Sequence, residues 1–309
     1  MYCLFRDYLI MMKQIIYWYK KYTPLFLQNI VKKLKPVWFE YYRLSRISKK
    51  NIDFSGHGET EAVKKYLDTN QNQINYFVDI GASDGVSSSS TLEFAKNPDW
   101  SGLSIEFDKI KFSKMNYVYR NYKNVNLANE KVTPGNVVEL FKQYKVPRDL
   151  TFINIDIDSY DLDVIRSIFD FDYRPDIVSI EINEKIPPPI YFKVLFNKDH
   201  YWKGDHFYGC SLTAAKKEFS KFNYTLADFK LNNAIFVNSV KFPQTKNLDT
   251  LTAYNTGYRD VENRKDLFKY NKDVEVLLTL DDKKSVEFIK NLYKEYENMY
   301  ELSIGEIDE

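Results

Sequence analysis

The sequence predicts an α/β protein with a Rossmann-like, seven-stranded, mostly parallel sheet, helices on both faces, and helical extensions at both termini. Three observations predict it. From about residue 75 to 240, short β-branched or aromatic runs alternate with helical stretches, the pattern of a parallel sheet. A glycine loop, Gly81 to Gly85, follows the first run. Acidic residues stand at the ends of three later runs, at Glu106, Asp156 and Glu181.

A chain of 309 residues holds one large domain with appendages and needs no staples for its core. The spacing divides it into a basic, aromatic helical extension at 1–50, a catalytic domain at 51–243 and a polar, partly helical extension at 244–309. Abundant apolar and aromatic residues exclude global disorder. Cys3 and Cys210 are the only cysteines, which supports neither a disulfide framework nor a cysteine metal site and makes a reducing cytoplasm the expected compartment.

The overall net charge of +1 hides a segregation. Residues 1–50 carry eleven Lys or Arg against Asp7 and Glu40, a balance of +9 that leaves −8 for the rest. Phe5, Leu9, Met12, Ile16 and Tyr19 form one stripe of an amphipathic helix that Pro24 should end, and Leu27, Ile30, Val31 and Leu34 suggest a second before Pro36. These helices are expected to pack on the catalytic domain or a second subunit, with an anionic membrane surface as the alternative. Charges interrupt the apolar stretches well short of the ~20 residues that span a bilayer, and no cleavable leader is apparent. No recognisable nucleic-acid module is present.

Within the catalytic domain the predicted strands are Tyr76–Ile80, Leu103–Glu106, Val125–Ala128, Thr151–Asp156, Ile177–Ile182, Tyr224–Phe229 and Ala234–Val237. Thr133-Pro134 should open a helix, with the proline at its first position. The last two strands should form a hairpin at Leu231-Asn232-Asn233, and a charged helix should run from about Asp282 to Tyr300.

A nucleoside cofactor at the carboxyl end of such a sheet needs a tight turn out of the first strand. Gly81, Ala82 and Gly85 supply one in VDIGASDG at 78–85. The glycine spacing is not the one that cradles a pyrophosphate, which disfavours a dinucleotide. S-adenosylmethionine carries no phosphate, and its ammonium and sulfonium groups favour a carboxylate such as Asp79. Glu106 can accept hydrogen bonds from both ribose hydroxyls, and Asn129 with Glu130 is placed to meet the adenine. Asp156 is a further candidate for the cofactor's side of the site.

The sequence resembles the FkbM-like S-adenosylmethionine-dependent O-methyltransferases from about Gly56 to Asn238. The resemblance rests on Gly58-Glu59, VDIGASDG, the serine run Ser87 to Ser90 with Thr91, Trp-x-Gly-Leu-x-Ile-Glu ending at Glu106, IDIDSYD at 155–161 and VSIEIN at 178–183. Ile-Asp-Ile-Asp stands where many relatives carry Lys-x-Asp-x-Glu. The resemblance implies a class I methyltransferase fold and O-methylation of a hydroxylated compound, with a sugar, nucleotide-linked sugar or glycan of polysaccharide biosynthesis as the leading acceptor class.

Methyl transfer to a hydroxyl requires in-line approach and a way to lose the hydroxyl proton. Asp156 and Asp158 share one side if their strand persists, as do Glu181 and Asn183, and these oxygens suit Mg²⁺. Asp158, Ser159 and Asp161 could instead cap the following helix, the reading favoured for Asp161. Of His57, His200 and His206, His206 is the expected base, with His57 beside Gly58-Glu59 as its competitor. Tyr191, Tyr201, Trp202, Phe207 and Tyr208 could wall an acceptor pocket. Two rival readings are a nicotinamide-dependent oxidoreductase, since Glu106 lies about 20 residues past Gly85, and a non-catalytic assembly protein presenting its basic helices.

Overall fold

A computed structural model describes residues 37–67 and 74–305. Both amphipathic stripes predicted before Pro36 lie outside those residues, as does Cys3. The chain divides into two compact units, 1–49 and 50–309. Within the first, α1 (Val37–Ile47) has Glu40 in its first turn and Arg46 in its last, each complementing the helix dipole.

The second unit contains α2 (Glu59–Leu67), β1 (Ile74–Ile80), α3 (Leu92–Lys96), β2 (Ser101–Ile105), α4 (Lys109–Tyr119), β3 (Val125–Ala128), α5 (Val137–Gln143), β4 (Leu150–Ile155), α6 (Asp161–Asp170) and β5 (Ile177–Glu181). It continues with β6 (Ile190–Val194), α7 (Leu212–Ser220), β7 (Tyr224–Lys230), β8 (Asn233–Asn238), α8 (Thr250–Tyr254), α9 (Arg264–Leu267), α10 (Asp282–Leu292) and β9 (Tyr300–Ile304). The seven-stranded sheet has the order β3-β2-β1-β4-β5-β8-β7, with β8 antiparallel to both neighbours and the other pairs parallel. This is the Rossmann-like fold the sequence predicts, with each of its strands within two residues of the expected bounds.

The strands are near-continuous apolar runs because helices cover both faces, as parallel sheets require. Phe77, Val78 and Ile80 of β1, Ile153 and Ile155 of β4, and Val178 and Ile180 of β5 are fully buried or nearly so. The order reverses between β1 and β4, so chains leave these two strands in opposite directions and open a crevice at their carboxyl ends.

Three elements depart from expectation. Helix α5 begins at Val137, not at Pro134, because the Asn136 side chain accepts from both the Thr133 N–H (2.7 Å) and hydroxyl (3.0 Å), holding Thr133 to Gly135 in a turn. Helix α10 ends at Leu292, and Tyr300 opens a strand. That strand, β9, pairs antiparallel with β6 in a second sheet the local pattern does not announce. Phe192, Phe207, Ile289 and Tyr293 form a small core against it.

Candidate functional site

The glycine loop is held against two neighbouring strand ends. The N–H groups of Gly81 and Ala82 both donate to the Ile105 carbonyl at 3.0 Å, and the Asp156 N–H donates to the Ile80 carbonyl at 2.9 Å. Gly81 (φ +92°) passes so close to β4 that a Cβ would lie 1.7 Å from the Asp156 carbonyl oxygen. Gly85 (φ +74°) packs against Met115 and Tyr119 of α4, again leaving no room for a side chain. Turns from Ser83 to Ser90 separate the loop from α3, so the chain does not enter a helix directly as expected.

Around this loop lies a cavity of about 500 Å³, within the range of small-molecule sites. Asp79, Gly81, Ala82, Glu106, Asp156 and Asp158 all line it. Ser83, Ser88 and Asp158, also on the wall, are non-glycine residues with φ of +52°, +53° and +53°. Such strained backbone persists where the surroundings over-determine it, often at functional sites.

Asp79 is buried with both oxygens engaged: Oδ2 accepts from the Thr91 hydroxyl (2.5 Å) and Oδ1 from Asn154 Nδ2 (2.9 Å). Burial pushes its carboxyl up, against the pull of those two bonds. Asn154 faces it because they are register partners on β4 and β1. Glu106, one residue beyond β2, accepts from the Ser83 N–H at 2.8 Å and the Asp108 N–H at 2.6 Å. Each bond uses one lone pair of a carboxylate that offers about four acceptor sites, so capacity for two hydroxyls remains. Phe107 follows on the rim, its ring 61% exposed.

Asn129 does not face the cavity: its Nδ2 donates to the carbonyls of Glu106 (2.8 Å) and Phe107 (3.0 Å). An amide with two donors satisfies strand-end carbonyls that a helix or neighbouring strand would otherwise pair, so Asn129 braces the segment that carries Glu106. Glu130 is the lining residue of that pair.

Asp156 and Asp158 line the cavity, Glu181 does not, and one carboxylate oxygen from each of the three lies within 4.8 Å of the other two. The strands end at Ile155 and Glu181, so a turn with left-handed backbone at Asp158 gathers the trio, not the strand alternation expected. Glu181 Oε1 accepts from Asn232 Nδ2 at 3.0 Å, while the buried Oε2 has no partner among the described residues. Burial and then the charges of Asp158 and Asp161 push the Asp156 carboxyl well up; burial and then Asp156 and Asp158 do the same to Glu181. Asp158 is raised by burial, with Lys111 opposing. Three close carboxylates with an orphaned buried oxygen fit a hard divalent cation.

Asn183 is fixed from its nitrogen side, while its Oδ1 has no hydrogen-bond partner among the described residues. The chain has left β5 by then, and its Nδ2 donates to the carbonyls of His206 and Tyr208, each at 2.9 Å, which a fully buried amide must do to satisfy its hydrogens. Asp161 is structural but not the helix cap expected: it opens α6 after an N-cap at Tyr160, and its two oxygens accept from the Ile157 and Ser159 N–H groups, fixing the turn that carries Asp158.

His206 is not among the residues lining this cavity; its Nε2 pairs with Asp273 at 3.1 Å. His57 is also elsewhere, its ring 5.9 Å from that of Phe268. The histidine on the wall is His200, beside Tyr201 and Trp202, and burial lowers its pKa. Lys131 Nζ ties this loop to the sheet by donating to the Lys198 (2.7 Å) and His200 (3.2 Å) carbonyls. Of the five aromatic residues expected as pocket walls, Tyr201 and Trp202 serve as such. Phe207 stacks on Tyr296, Tyr208 is bonded to Glu184 and Lys185, and Tyr191 is buried in the main core.

No protein-family profile matches this chain, and no curated protein shows significant similarity to it. Among solved structures, it is similar to the METTL16 MTase domain at 14% identity and a TM-score of 0.32, over 45% of this chain and 61% of that one. It is similar to the N-terminal domain of EvdMO1 with SAH bound at 8% identity and a TM-score of 0.37, over 58% of this chain and 80% of that one. A putative O-methyltransferase from Klebsiella pneumoniae aligns at 12% identity and a TM-score of 0.40, over 68% and 94%.

Proposed function

We propose that this chain is an S-adenosylmethionine-dependent O-methyltransferase of the FkbM-like kind, acting on a hydroxyl of a sugar, nucleotide-linked sugar or glycan with a divalent cation at Asp156, Asp158 and Glu181. The observation that carries the reading is one cavity lined by a glycine loop and by carboxylates. Glu106 and the Gly81 loop line it together with Asp156 and Asp158, and Glu181 completes a trio with those two aspartates, one oxygen of each lying within 4.8 Å of the others.

On this reading Glu106 holds the ribose hydroxyls with its remaining lone pairs, and its bonds to the Ser83 and Asp108 N–H groups keep it from rotating away. Gly81 and Ala82 admit the cofactor's close approach, and Phe107 offers an apolar face to the base. Bound cofactor supplies an electrophilic methyl group, and a bound Mg²⁺ lowers the pKa of the acceptor hydroxyl. Asp158, which lines the cavity, takes up the hydroxyl proton on this reading. Tyr201 and Trp202, 65% and 41% exposed, present ring faces that suit the C–H face of a sugar.

Calorimetric titration with S-adenosylmethionine and NAD, followed by transfer of labelled methyl to a panel of hydroxylated acceptors, tests the reading. Binding of the first cofactor with label on a sugar hydroxyl is the expected result. Binding of NAD alone, or of neither, would sink it.

A further inference from the structure

Two segments outside the cavity meet behind Glu181: Gly58-Glu59 at the start of α2, and the Leu231-Asn232 turn joining β7 to β8. Glu59 is 1% exposed; Oε2 accepts from the His57 N–H at 2.9 Å and Oε1 from Asn233 Nδ2 at 2.7 Å. The same Asn233 nitrogen donates to Asn232 Oδ1 at 3.2 Å, and Asn232 Nδ2 donates to Glu181 Oε1 at 3.0 Å. The Asn233 nitrogen thus donates two ways, to Glu59 and to Asn232, and the Asn232 amide accepts at its oxygen and donates from its nitrogen to Glu181, so hydrogen bonds join a buried carboxylate to the trio.

The backbone is equally committed. The Asn232 carbonyl accepts from the Ile182 N–H at 2.7 Å, next to Glu181 itself, and the Leu231 N–H donates to the Gly257 carbonyl at 2.8 Å. Leu231 adopts φ +54° while its side chain is buried in the main core. A leucine in that region is strained, and its anchored side chain and N–H offset the strain. The turn thus holds Asn232 in one place.

Glu181 cannot turn Oε1 to another partner without leaving the Asn232 amide unpaired, which leaves the unpartnered Oε2 as its one oxygen free to ligate. We propose that Asn232, seated by Asn233 and Glu59, is a positioning residue that confines Glu181 to one-oxygen ligation. The site then prefers a small octahedral cation to Ca²⁺, which takes more ligands and accepts bidentate carboxylates. The inference rests on the cation reading of the trio given above.

Calorimetry with Mn²⁺ and with Ca²⁺ on the full chain tests it, using the parent, Asn232→Ala, Glu59→Gln and, as a control for the site, Asp156→Asn. Asn232→Ala is expected to lose about tenfold or more in Mn²⁺ affinity, the usual effect of removing a residue that orients a ligand, and to lose less for Ca²⁺. Glu59→Gln should shift the Mn²⁺ to Ca²⁺ ratio in the same direction by a smaller factor. An Asn232→Ala protein that matches the parent in both affinities overturns the positioning role and leaves the cation reading standing. A parent that binds Mn²⁺ no better than Asp156→Asn overturns both. Circular dichroism checks the fold, and should Asn232→Ala not fold, an unchanged ratio in Glu59→Gln overturns the proposal.

Discussion

Gly81 and Asp156 touch through their backbones: a Cβ on the glycine would fall 1.7 Å from the aspartate carbonyl oxygen. The contact couples two parts of the cavity lining, because Gly81 carries the glycine loop and Asp156 begins the turn of the acidic trio. Gly81→Ala must therefore move one of them, besides placing a side chain at φ +92°. Backbone cannot yield as a flexible side chain does, so the cost is expected to reach about 3 kcal/mol or more. Chemical denaturation measures it, and a loss under about 1 kcal/mol would show that the loop relaxes freely.

Glu106 bridges the Ser83 and Asp108 N–H groups and has acceptor capacity left for the ribose. Glu106→Ala is expected to weaken S-adenosylmethionine binding by roughly 1 to 3 kcal/mol through lost charge-assisted bonds. Calorimetry at matched ionic strength reads it directly. A dissociation constant equal to the parent's removes Glu106 from the cofactor's contacts and leaves it a loop brace.

Much of this arrangement was legible in the residues, for reasons that separate the local from the non-local. The seven strands follow from β-branched periodicity, which burial on both sheet faces enforces. Gly81, Glu106 and Asp156 follow from where strand ends must lie once the sheet is drawn. Strands β6 and β9 did not follow, since each is short and its partner lies far along the chain, and pairing of that kind leaves no local pattern. Amides were misread for a related reason. Asn129 and Asn183 can serve a ligand or a carbonyl equally well, and only their neighbours decide; both went to backbone carbonyls, while Asn154 and Asn232 found the carboxylates of Asp79 and Glu181. The histidine choice rested on loop membership alone, which cannot tell which face of the loop meets the cavity.

His206 accordingly supports a prediction opposite to the one its sequence position suggests. Its ring is braced by Asp273 and does not line the cavity. His206→Ala should leave kcat/KM within about twofold of the parent, in keeping with a substitution removed from the chemistry. A loss of a hundredfold in kcat would return it to the mechanism.

The trio sets how a cation competes with protons. Burial, with repulsion from neighbouring carboxylates, holds the carboxyls of Asp156, Asp158 and Glu181 above the ordinary range, so the cation-free site retains protons that a metal must displace. Mn²⁺ affinity should therefore strengthen as pH rises beyond the ordinary carboxylate range, with proton release on binding. Calorimetry in two buffers of different ionisation enthalpy detects the release, and pH-independent affinity without it would contradict the trio as ligands.

Asp161 lets the same electrostatics be read as stability. Burial raises its carboxyl from 3.8 to about 6, although the Ile157 and Ser159 N–H groups pull the other way. A folded-state value above the unfolded one means the native chain holds the proton longer. The resulting stabilisation is fully present below 3.8 and is lost as pH rises through about 6. The difference corresponds to roughly 3 kcal/mol at the usual 1.4 kcal/mol per tenfold change in proton affinity. Asp161→Asn abolishes this titration, so the parent's stability relative to the variant should fall by that order between about pH 3 and about pH 7. Denaturant unfolding at several pH values in the presence of chelator measures the difference. A gap between the two proteins that stays constant with pH, or widens as pH rises, would show that Asp161 is ionised throughout and that the Asp158 turn is braced by a full charge.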